Sequence, residues 1–287
     1  MLRVAVPNKG VLSEPAAAML AESGYRQRRT SSELAVYDPE NDTEFFYLRP
    51  RDIAIYVAAG TLDVGITGRD MLLETTPPEG GHVAAEVMPL GFGRSSFRFA
   101  SPAESPVDEV AKLEGKRIAT AYPGLLQRFL DETGMKAAVV KLDGAVETAC
   151  RLGVADAVCD VVETGTTLRA AGLRIIGDPV LASEAVLVGR AGADEVPAVA
   201  QLRRRLQGVL VARRYVMLDY DCPNDLLGQA TARTPGLEGP TVSPLQTPGW
   251  SAVRAMVLKD DTNRVMDELW ELGARAILVT SIAASRI

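Results

Sequence analysis

The stretch DAVCDVVETGTTLRAAG, residues 156–172, decides how the chain is interpreted. Its first half belongs to a short, valine-rich run from Val154 to Val162, which predicts a mostly buried strand rather than a helix. The next five residues, 163–167, bring one carboxylate, three threonine hydroxyls and a glycine. A helix over residues 168–171 is expected to follow and to end at Gly172. The pattern therefore predicts a strand, a hydroxyl-rich turn and a helix start.

A turn of this kind is typical of an anion site. Backbone N–H groups at the start of a helix are free to bind a ligand, glycine lets the main chain approach it, and threonine hydroxyls add donors for phosphate oxygens. The carboxylates of Asp160 and Glu163 repel phosphate and suit sugar hydroxyls instead. The stretch therefore predicts a site for a phosphorylated sugar. An ordinary capped turn between a strand and a helix is the alternative for a Thr-Gly-Thr-Thr sequence taken alone.

Length and composition restrict the class of protein. A chain of 287 residues, 47% of them hydrophobic, is long enough for a substantial core and for two or three domains. The formal net charge of -6 argues against a general nucleic-acid binder, because binding to phosphate backbones needs a basic surface. An anionic small ligand needs only local cations.

Cysteine and histidine usage excludes several kinds of chemistry. Three cysteines are too few for a disulfide framework or a zinc site, which favours a reducing cytoplasm. His82 is the only histidine, so histidine-based triads and clustered histidine metal sites are excluded. The N-terminus has no signal-peptide core, and no stretch reaches the roughly 18 apolar residues of a membrane span. We therefore expect a soluble protein that uses carboxylates, hydroxyls and cations.

A second strand ends much as the central one does. LDVGITGRD, residues 62–70, and ADAVCDVVETGTTL, residues 155–168, both place an Asp early in an apolar strand and end it in Thr-Gly. The pair suggests two lobes that each offer a strand end to a shared cleft. The similarity is too short to establish a duplication.

Polar side chains follow several other predicted strands. Lys9 comes after a strand over residues 2–6, and Arg49 leaves the second strand of a predicted hairpin at residues 34–37 and 43–48. Because ligands bind at the carboxyl ends of strands in open α/β sheets, these positions suit a cleft. Tyr122 lies at a strand-to-helix junction, where it could stack on a base or simply pack.

Three further segments complete the predicted two-lobed part of the chain. Asp52 can cap a helix over residues 53–59. Residues 88–100, with Arg94, are expected to cross between the lobes. Glu147 lies on a short helix after Gly144.

The pattern changes after Arg214. Predicted strands over residues 215–220, 241–245, 252–258 and 276–281 alternate with helices over 224–232 and 262–272. This βαββαβ order over about 75 residues predicts a ferredoxin-like domain. Its turn-rich loops favour a binding or regulatory role over catalysis.

Taken together, these segments resemble a known family. PNKG near the N-terminus, LDVGITGRD, PLGFGRSSF, ATAYP, DGAVE and DVVETGTTLRAAGL occur in the order and spacing of the long-form ATP phosphoribosyltransferases. The segments YDCP and GPTVSPL resemble the histidine-sensing domain of that family. The resemblance covers essentially the whole chain. Each motif is weak alone, but the ordered set is highly specific.

The resemblance implies an α/β fold with three parts. A two-lobed catalytic unit like the type II periplasmic binding proteins is followed by a ferredoxin-like βαββαβ domain. Residues 1–92 and 180–211 are expected to form lobe I, residues 93–179 lobe II, and residues 212–287 the regulatory domain. The implied reaction is the first step of histidine biosynthesis, in which ATP and phosphoribosyl pyrophosphate give phosphoribosyl-ATP and pyrophosphate.

The resemblance also assigns site residues. The phosphoribosyl pyrophosphate loop is matched to Asp160, Glu163, Thr164, Gly165, Thr166 and Thr167. The ATP and pyrophosphate cleft is matched to Lys9, Arg49, Asp70, Arg94, Tyr122 and Glu147. The feedback site for histidine is matched to Asp221, Leu237, Thr241 and Ala276. Many members have Ser in place of Glu163, which leaves open whether Glu163 touches ribose or faces solvent.

The family further implies Mg²⁺, held mainly by substrate and water with at most one or two carboxylates, and dimers that assemble into a hexamer. Two alternatives stay open from the residues alone. One is a two-lobed ligand sensor without catalysis, because fold does not fix function. The other is a phosphoribosyltransferase for another base, which neither Tyr122 nor Glu147 excludes.

Overall fold

The computed structural model describes residues 1–27, 33–76 and 83–286. His82, on which the exclusion of histidine chemistry rests, lies outside the described residues. The chain divides into two compact units, the first comprising Met1–Ala21 and Tyr25–Gln201 and the second Glu22–Gly24 and Leu202–Ile287.

The first unit contains two sheets, and the sheet of lobe I has six strands in the order β2-β3-β1-β4-β11-β5. Strands β3, β1 and β4 run parallel, whereas β2 and β11 run antiparallel to their neighbours. The pairing of β2 with β3 confirms the predicted hairpin. The elements of lobe I are β1 Leu2–Pro7, α1 Ser13–Glu22, β2 Ala35–Asp38, β3 Thr43–Leu48, α2 Pro50–Ala58, β4 Val64–Gly68, α3 Arg69–Thr75, β5 Ala84–Pro89 and β11 Ala185–Arg190.

The sheet of lobe II has five strands in the order β10-β6-β9-β7-β8. Strands β8, β7 and β9 are parallel, and β6 is antiparallel to both β9 and β10. The elements are β6 Ser95–Pro102, β7 Arg117–Thr120, α4 Pro123–Thr133, β8 Ala138–Lys141, β9 Ala157–Val162, α5 Thr166–Ala170 and β10 Leu173–Ser183, with short 3-10 helices at Val110–Leu113 and Val146–Thr148.

The two sheets share one arrangement. Neighbouring strands lie in the order β3-β1-β4-β11-β5 in the sheet of lobe I. In the sheet of lobe II they lie in the order β8-β7-β9-β6-β10. In each of these runs of five, the strand that arrives from the other lobe, β11 or β6, lies fourth and is antiparallel to its neighbours. The chain crosses between the sheets at residues 90–94 and again at Glu184. This arrangement confirms the predicted two-lobed α/β fold of the type II periplasmic binding proteins.

Close packing of α2 on the sheet holds the carboxyl edge of lobe I in place. Every residue of β4 is buried, and Ile53 and Val57 on α2 are fully buried against the same layer. A Cβ at Gly65 of β4 would collide with the side chain of Ile53 and lie 3.0 Å from Cβ of Ala5. Glycine at this position therefore lets the helix lie directly on the sheet.

Two helices join the lobes by capping each other. Helix α3 of lobe I places the Glu74 carboxylate against the start of α4 in lobe II, where it accepts hydrogen bonds from the backbone N–H groups of Gly124 (3.2 Å) and Leu125 (2.9 Å). Arg128 of α4 donates in return to the carbonyl of Leu73 on α3, at 2.9 Å. A Cβ at Gly124 would lie 2.8 Å from the Glu74 carbonyl oxygen, so the close approach requires glycine. Both contacts neutralise the partial charges at helix ends.

The second unit is built on a four-stranded antiparallel sheet of order β13-β14-β12-β15. Buried and partly exposed residues alternate along β12, which is typical of a sheet with one face on a core. The βαββαβ succession confirms the predicted ferredoxin-like domain. The elements are β12 Tyr215–Pro223, α7 Leu227–Arg233, β13 Thr241–Pro244, β14 Trp250–Leu258, α8 Thr262–Leu272 and β15 Arg275–Ser281, after the long helix α6 Pro197–Arg214.

Several local predictions differ from the structure, among them the start of α7 at Leu227 instead of residue 224 and that of β9 at Ala157 instead of Val154. Helix α2 begins at Pro50 rather than after Asp52, because proline is favoured in the first helical turn. Helix α5 begins at Thr166, two residues before the predicted start. Residues 88–100, expected as one crossover, contain the end of β5 and the start of β6. Strand β10 extends to Ser183, past an irregularity in its pairing between Ile176 and Leu181.

Among the helices that the structure describes, none is both long and apolar enough to cross a bilayer.

Candidate functional site

The topology brings most of the predicted cleft residues to two sheet edges. Lys9, Arg49 and Asp70 follow the carboxyl ends of the parallel strands β1, β3 and β4 in lobe I. Tyr122 and the turn at residues 163–165 follow the carboxyl ends of β7 and β9 in lobe II. These are the edges at which open α/β sheets bind ligands.

The turn after β9 has the open form that an anion site needs. Gly165 adopts a left-handed conformation with φ of 72°, and a Cβ there would approach Cδ1 of Ile175 at 3.2 Å. Thr164, Thr166 and Thr167 are all exposed, and the hydroxyls of Thr164 and Thr166 lie 2.9 Å apart. The hydroxyl groups are therefore within reach of a ligand, although those of Thr164 and Thr166 also hydrogen-bond to each other.

A cavity of about 290 Å³, here called the turn cavity, opens beside this turn. It brings together all six residues predicted for phosphoribosyl pyrophosphate and one predicted for the base. Its lining residues are Glu147, Asp160, Val161, Val162, Glu163, Thr164, Gly165, Thr166, Thr167 and Leu168. The cavity therefore combines hydrogen-bond donors for a phosphate group with carboxylates that suit sugar hydroxyls.

The acidity of Asp160, a carboxylate in the turn cavity, is altered by its surroundings. Burial raises its pKa to about 6, although the backbone N–H of Val161 donates to it at 2.8 Å and opposes the change. The negative charges of Glu147 and Asp70 raise the pKa further, while the positive charge of Arg51 lowers it. A carboxyl group with a pKa near neutrality in a cleft is a common property of functional sites.

Glu147 reaches the turn cavity from a short, strained segment. It lies in the 3-10 helix Val146–Thr148, directly after Ala145, whose φ is 51°. A left-handed conformation costs an alanine roughly 1 kcal/mol or more, and such residues cluster at functional sites. The bend brings Glu147 close enough for its charge to act on Asp160.

A second cavity, of about 190 Å³, lies between the lobes and is here called the interlobe cavity. It is lined by Lys9, Gly10, Val11, Leu12, Pro50, Gly68, Asp70, Met71, Gly93, Ser95, Tyr122, Val161 and Glu163. Glu163 and Val161 line both cavities, so the two are neighbours in one cleft. Both Thr-Gly strand ends thus contribute to this cleft, as their similarity suggested.

Asp70 and Tyr122 meet across the interlobe cavity. Asp70 is 6% exposed, and it accepts a hydrogen bond from the hydroxyl of Ser183 at 2.6 Å. Burial raises the pKa of Tyr122, and the charge of Asp70 and a hydrogen bond to it raise that pKa further. Only 7% of Tyr122 is exposed, so little of its ring is free for a ligand.

Arg51 joins the two lobes beside the cleft, and the sequence interpretation missed it. It lies in the first turn of α2, and its Nη2 donates to the carbonyl of Ala121 in lobe II at 2.7 Å. Its guanidinium carbon lies 5.0 Å from the centroid of the Tyr122 ring. The only available signal was its position two residues after Arg49 at a sheet edge, which also fits a solvated arginine.

Two predicted cations are placed differently. Arg49 and Arg94 are both exposed, and neither lines the turn cavity or the interlobe cavity. Among the described residues that line these two cavities, Lys9 is the sole lysine or arginine. The cleft is therefore richer in carboxylates than in cations.

The donor set of the cleft fits a hard divalent cation. Glu147, Asp160 and Glu163 offer carboxylate oxygens beside the threonine hydroxyls, and Mg²⁺ prefers one or two carboxylates together with substrate phosphates. Within residues 1–27, 33–76 and 83–286, no group of three or more His, Cys, Asp or Glu has the arrangement of a metal site.

Three of the four predicted regulatory residues lie together in the second unit. Asp221, Thr241 and Ala276 line a cavity of about 380 Å³ over the sheet, here called the sheet cavity. Ala276 has φ of 50° at an irregularity in the β12–β15 pairing. Leu237 does not line this cavity, although 42% of its surface is exposed.

Comparisons with known proteins agree with this architecture. The family model for ATP phosphoribosyltransferase matches residues 49–208, and the model for the C-terminal domain of the same family matches residues 212–284. A chain of the ATP phosphoribosyl transferase (HisG:HisZ) complex from Thermotoga maritima superposes with a TM-score of 0.61 at 28% identity, covering 72% of this chain and 97% of that chain.

Relatives of full length are close in sequence. The ATP phosphoribosyltransferase of Pseudarthrobacter chlorophenolicus is 62% identical over 290 residues, and that of Salinispora tropica is 60% identical over 287 residues. Each match covers 100% of both chains. The chain belongs to the ATP phosphoribosyltransferase family, in its long form, and is a pentosyltransferase of the first step of histidine biosynthesis.

Proposed function

We propose that the turn cavity binds phosphoribosyl pyrophosphate and that the interlobe cavity receives the adenine of ATP. The observation that carries this assignment is the exposed set of threonine hydroxyls around Gly165, beside the half-buried Asp160. Hydroxyl and backbone N–H donors hold the 5'-phosphate, and the carboxylate orients the ribose hydroxyls.

The reaction needs no protein nucleophile. Adenine N1 forms a bond to the anomeric carbon while the bond from that carbon to pyrophosphate breaks, so positive charge develops on the ribose ring. The ionised Asp160 stabilises this charge, and the fixed position of the phosphate aligns the anomeric carbon with N1. Positioning and electrostatics therefore supply the rate enhancement.

The leaving group needs compensating positive charge. Lys9 lines the interlobe cavity and is the first candidate to bind pyrophosphate or triphosphate oxygens. Arg49 and Arg94, which are exposed, would have to reach the polyphosphates when the substrates are bound. Mg²⁺ bound to the substrate phosphates and to one or two of Glu147, Asp160 and Glu163 would offset the remaining negative charge.

The base contacts come from Tyr122 and Glu147. Because Tyr122 is almost fully buried, we infer that it touches adenine through a ring edge rather than a whole face. Glu147 is close enough to Asp160 for their charges to interact, and it would accept a hydrogen bond from the adenine amino group or take up its proton once N1 is alkylated. A Glu147→Gln enzyme with a wild-type pH–rate profile would remove the residue from that role.

The decisive assay supplies phosphoribosyl pyrophosphate with ATP, with free adenine or with other bases, and measures pyrophosphate release. We expect release with ATP alone among these acceptors. Release with a free base would favour a phosphoribosyltransferase of another specificity. Binding of both substrates without release would favour a ligand sensor.

Histidine regulation is proposed for the sheet cavity. The Asp221 carboxylate suits an ammonium or imidazolium group, and Thr241 offers a hydroxyl. Histidine inhibits if it binds two states of the enzyme with unequal affinity. An Asp221→Ala, Thr241→Ala double variant should lose inhibition, whereas Asp267→Ala on the exposed side of α8 should keep it. Undiminished inhibition in the double variant would overturn this site.

Assembly into dimers and a hexamer is proposed from the exposed surface of the second unit. The edge strands β13 and β15 expose Val242 at 42%, Leu278 at 63% and Val279 at 41%, and exposed apolar edges are typical of surfaces that pair with another chain. Light scattering of the purified protein measures the mass of the assembly directly.

A cytoplasmic location is proposed from the cysteines. All three are free, which suits a reducing compartment.

A further inference from the structure

Ser183 forms a contact between the lobes at Asp70, one of the residues that line the interlobe cavity. Asp70 lies in the first turn of α3 in lobe I, whereas Ser183 is the last residue of β10 and pairs with Ser95 in the sheet of lobe II. The backbone N–H of Asp70 donates to the Ser183 hydroxyl at 3.0 Å, and that hydroxyl donates to Oδ1 of Asp70 at 2.6 Å. Ser183 therefore holds both the main chain and the side chain of Asp70.

The direction of these two hydrogen bonds follows from the groups involved. A backbone N–H can only donate, so the serine oxygen accepts from it, and the single hydroxyl hydrogen is left for the carboxylate, which can only accept. Ser183 is 4% exposed and Asp70 is 6% exposed, so water does not readily replace either bond. Because a missing hydrogen bond to a buried charged group is costly, we expect the pair to fix the direction of the Asp70 side chain.

Two neighbouring features hold Asp70 in the same position. Arg69 donates its backbone N–H to the Glu184 carbonyl at 2.9 Å, so two consecutive N–H groups of α3 are bound to the segment where the chain leaves lobe II. A Cβ at Gly68 would collide with Oδ1 of Asp70, the same oxygen that accepts from Ser183. Since Gly68 has φ of -80°, which any residue can adopt, glycine is needed here for the space that this oxygen occupies.

We propose that Ser183 is a positioning residue for ATP, which orients the Asp70 carboxylate at the interlobe cavity from the opposite lobe. This inference rests on the proposed binding of adenine in that cavity. Ser183 is not among the residues that line the cavity, so it acts through Asp70 rather than on substrate. A carboxylate held at one oxygen presents its other lone pairs in a fixed direction, which a hydrogen bond from the adenine amino group or from a ribose hydroxyl requires.

The test measures kcat and the KM for both substrates in Ser183→Ala and in the wild-type protein. Ser183→Ala should raise the KM for ATP about tenfold, because Asp70 loses its orientation and a hydrogen bond between a charged group and the ligand is weakened. The kcat and the KM for phosphoribosyl pyrophosphate should stay within about twofold, since the turn cavity keeps its residues. A merely structural role of Ser183 would lower the Tm and leave both KM values unchanged.

Ser101→Ala is the matched control. Ser101 is also a buried serine of the lobe II sheet, and its hydroxyl also donates at 2.6 Å, but to the carbonyl of Val107 in the same lobe. Its substitution should lower the Tm about as much as Ser183→Ala does and leave both KM values within about twofold. Should Ser183→Ala give no folded protein, Ser183→Cys keeps the size of the side chain with a weak donor, and it should raise the KM for ATP roughly threefold or more.

A double-mutant cycle with Asp70→Ala tests whether Ser183 acts through Asp70. In the Asp70→Ala background, Ser183→Ala should change the KM for ATP less than about twofold, because no carboxylate is left to orient. The same cycle measured by Tm without substrates needs no turnover, and Ser183→Ala should lower the Tm less when residue 70 is already alanine. If the wild-type protein released no pyrophosphate with ATP, the proposed function would fail, whereas this coupling in Tm would still show that Ser183 holds Asp70.

A folded Ser183→Ala protein, or Ser183→Cys in its place, with the wild-type KM for ATP would overturn the inference. Equal losses of Tm from Ser183→Ala in the two backgrounds would also overturn it, because Ser183 would then not act on Asp70. So would an equal rise in the KM for ATP in Ser101→Ala, since the loss of any buried serine hydroxyl in this sheet would then have the same effect.

Discussion

The two Thr-Gly strand ends of the catalytic unit have similar sequences and opposite environments. In lobe I, Thr67 is fully buried and donates its hydroxyl to the Pro50 carbonyl at 2.7 Å. In lobe II, the hydroxyls of Thr164 and Thr166 meet at 2.9 Å on an exposed turn. The first strand end uses its polar group to hold the fold, and the second exposes its hydroxyls where a ligand can reach them.

Backbone conformation accounts for the difference. Gly68 ends β4 in an extended conformation with φ of -80°, and α3 starts at the next residue. After β9 the chain makes a turn over residues 163–165, with Gly165 left-handed, before α5 starts. Those extra residues lift the hydroxyls away from the sheet edge. A Thr-Gly sequence at a strand end therefore indicates a ligand site only where a turn separates strand from helix.

The largest expected effect comes from removing the open hydroxyls. A Thr164→Ala, Thr166→Ala, Thr167→Ala variant should lose roughly 100- to 1,000-fold in kcat/KM for phosphoribosyl pyrophosphate, because several hydrogen bonds to a charged phosphate are lost together. Its Tm should change little, since these side chains are exposed. Thr133→Ala, at an exposed position on α4, is the control. A triple variant with normal kinetics would show that this turn binds no phosphate.

The next largest effect is expected in the pH dependence of kcat/KM, through protonation of Asp160. Since burial raises its pKa to about 6, kcat/KM should fall about tenfold per pH unit below that value as the carboxylate is protonated. Asp160→Asn should remove this acid limb and lower kcat/KM by roughly 100-fold, because the ribose loses its stabilising charge. An Asp160→Asn enzyme that keeps the wild-type limb would assign the limb to another group.

Glu74 lies on α3, the helix that follows the buried strand end, and its removal should change stability more than substrate affinity. Glu74→Ala removes the cap from α4 and should cost about 1–2 kcal/mol of unfolding free energy, which corresponds to a Tm lower by roughly 2–6 °C. Thermal unfolding followed by circular dichroism measures this. Glu132→Ala, an exposed carboxylate on the same helix, should leave Tm within about 1 °C. Equal shifts in the two variants would mean that the interlobe cap contributes nothing specific.

The smallest effect is expected at the buried threonine. Thr67→Val keeps the shape of the side chain and removes one buried hydrogen bond, so it should cost about 1 kcal/mol, or roughly 2–4 °C in Tm. The KM for phosphoribosyl pyrophosphate should stay within about twofold of wild type. A large rise in that KM without loss of stability would show that the strand end of lobe I also binds substrate, contrary to the structural role given to Thr67.

The sequence was most informative where periodicity and ordered motifs agreed. The strand before the Thr-Gly-Thr-Thr turn, the hairpin at β2 and β3, and the βαββαβ succession follow from alternating burial and turn residues. Helix α8 has the predicted bounds, Thr262–Leu272, because a polar turn precedes it and Gly273 ends it. The start of α2 was less predictable, because Pro50 and Asp52 are both suitable helix-start residues.

The candidate site was only partly visible in the sequence. Residues that directly follow strands could be anticipated, because parallel strands end at a common edge. Arg51 could not, since its contacts join α2 to a segment some 70 positions away, and an arginine in a first helical turn usually points to solvent. Arg49 and Arg94 show the opposite case. Both were predicted for the cleft from their positions next to strands, but neither lines a cavity, because position alone does not decide where a long side chain reaches.

The amino-acid sequence by itself determined the family, the order of the elements and the hydroxyl-rich turn, because these depend on local pattern and on the order of motifs along the chain. Only the tertiary structure decided which strand end is open, which arginine joins the two lobes and which helices cap each other. Burial and charge depend on distances between residues far apart in the chain, and those distances exist only once both lobes have packed.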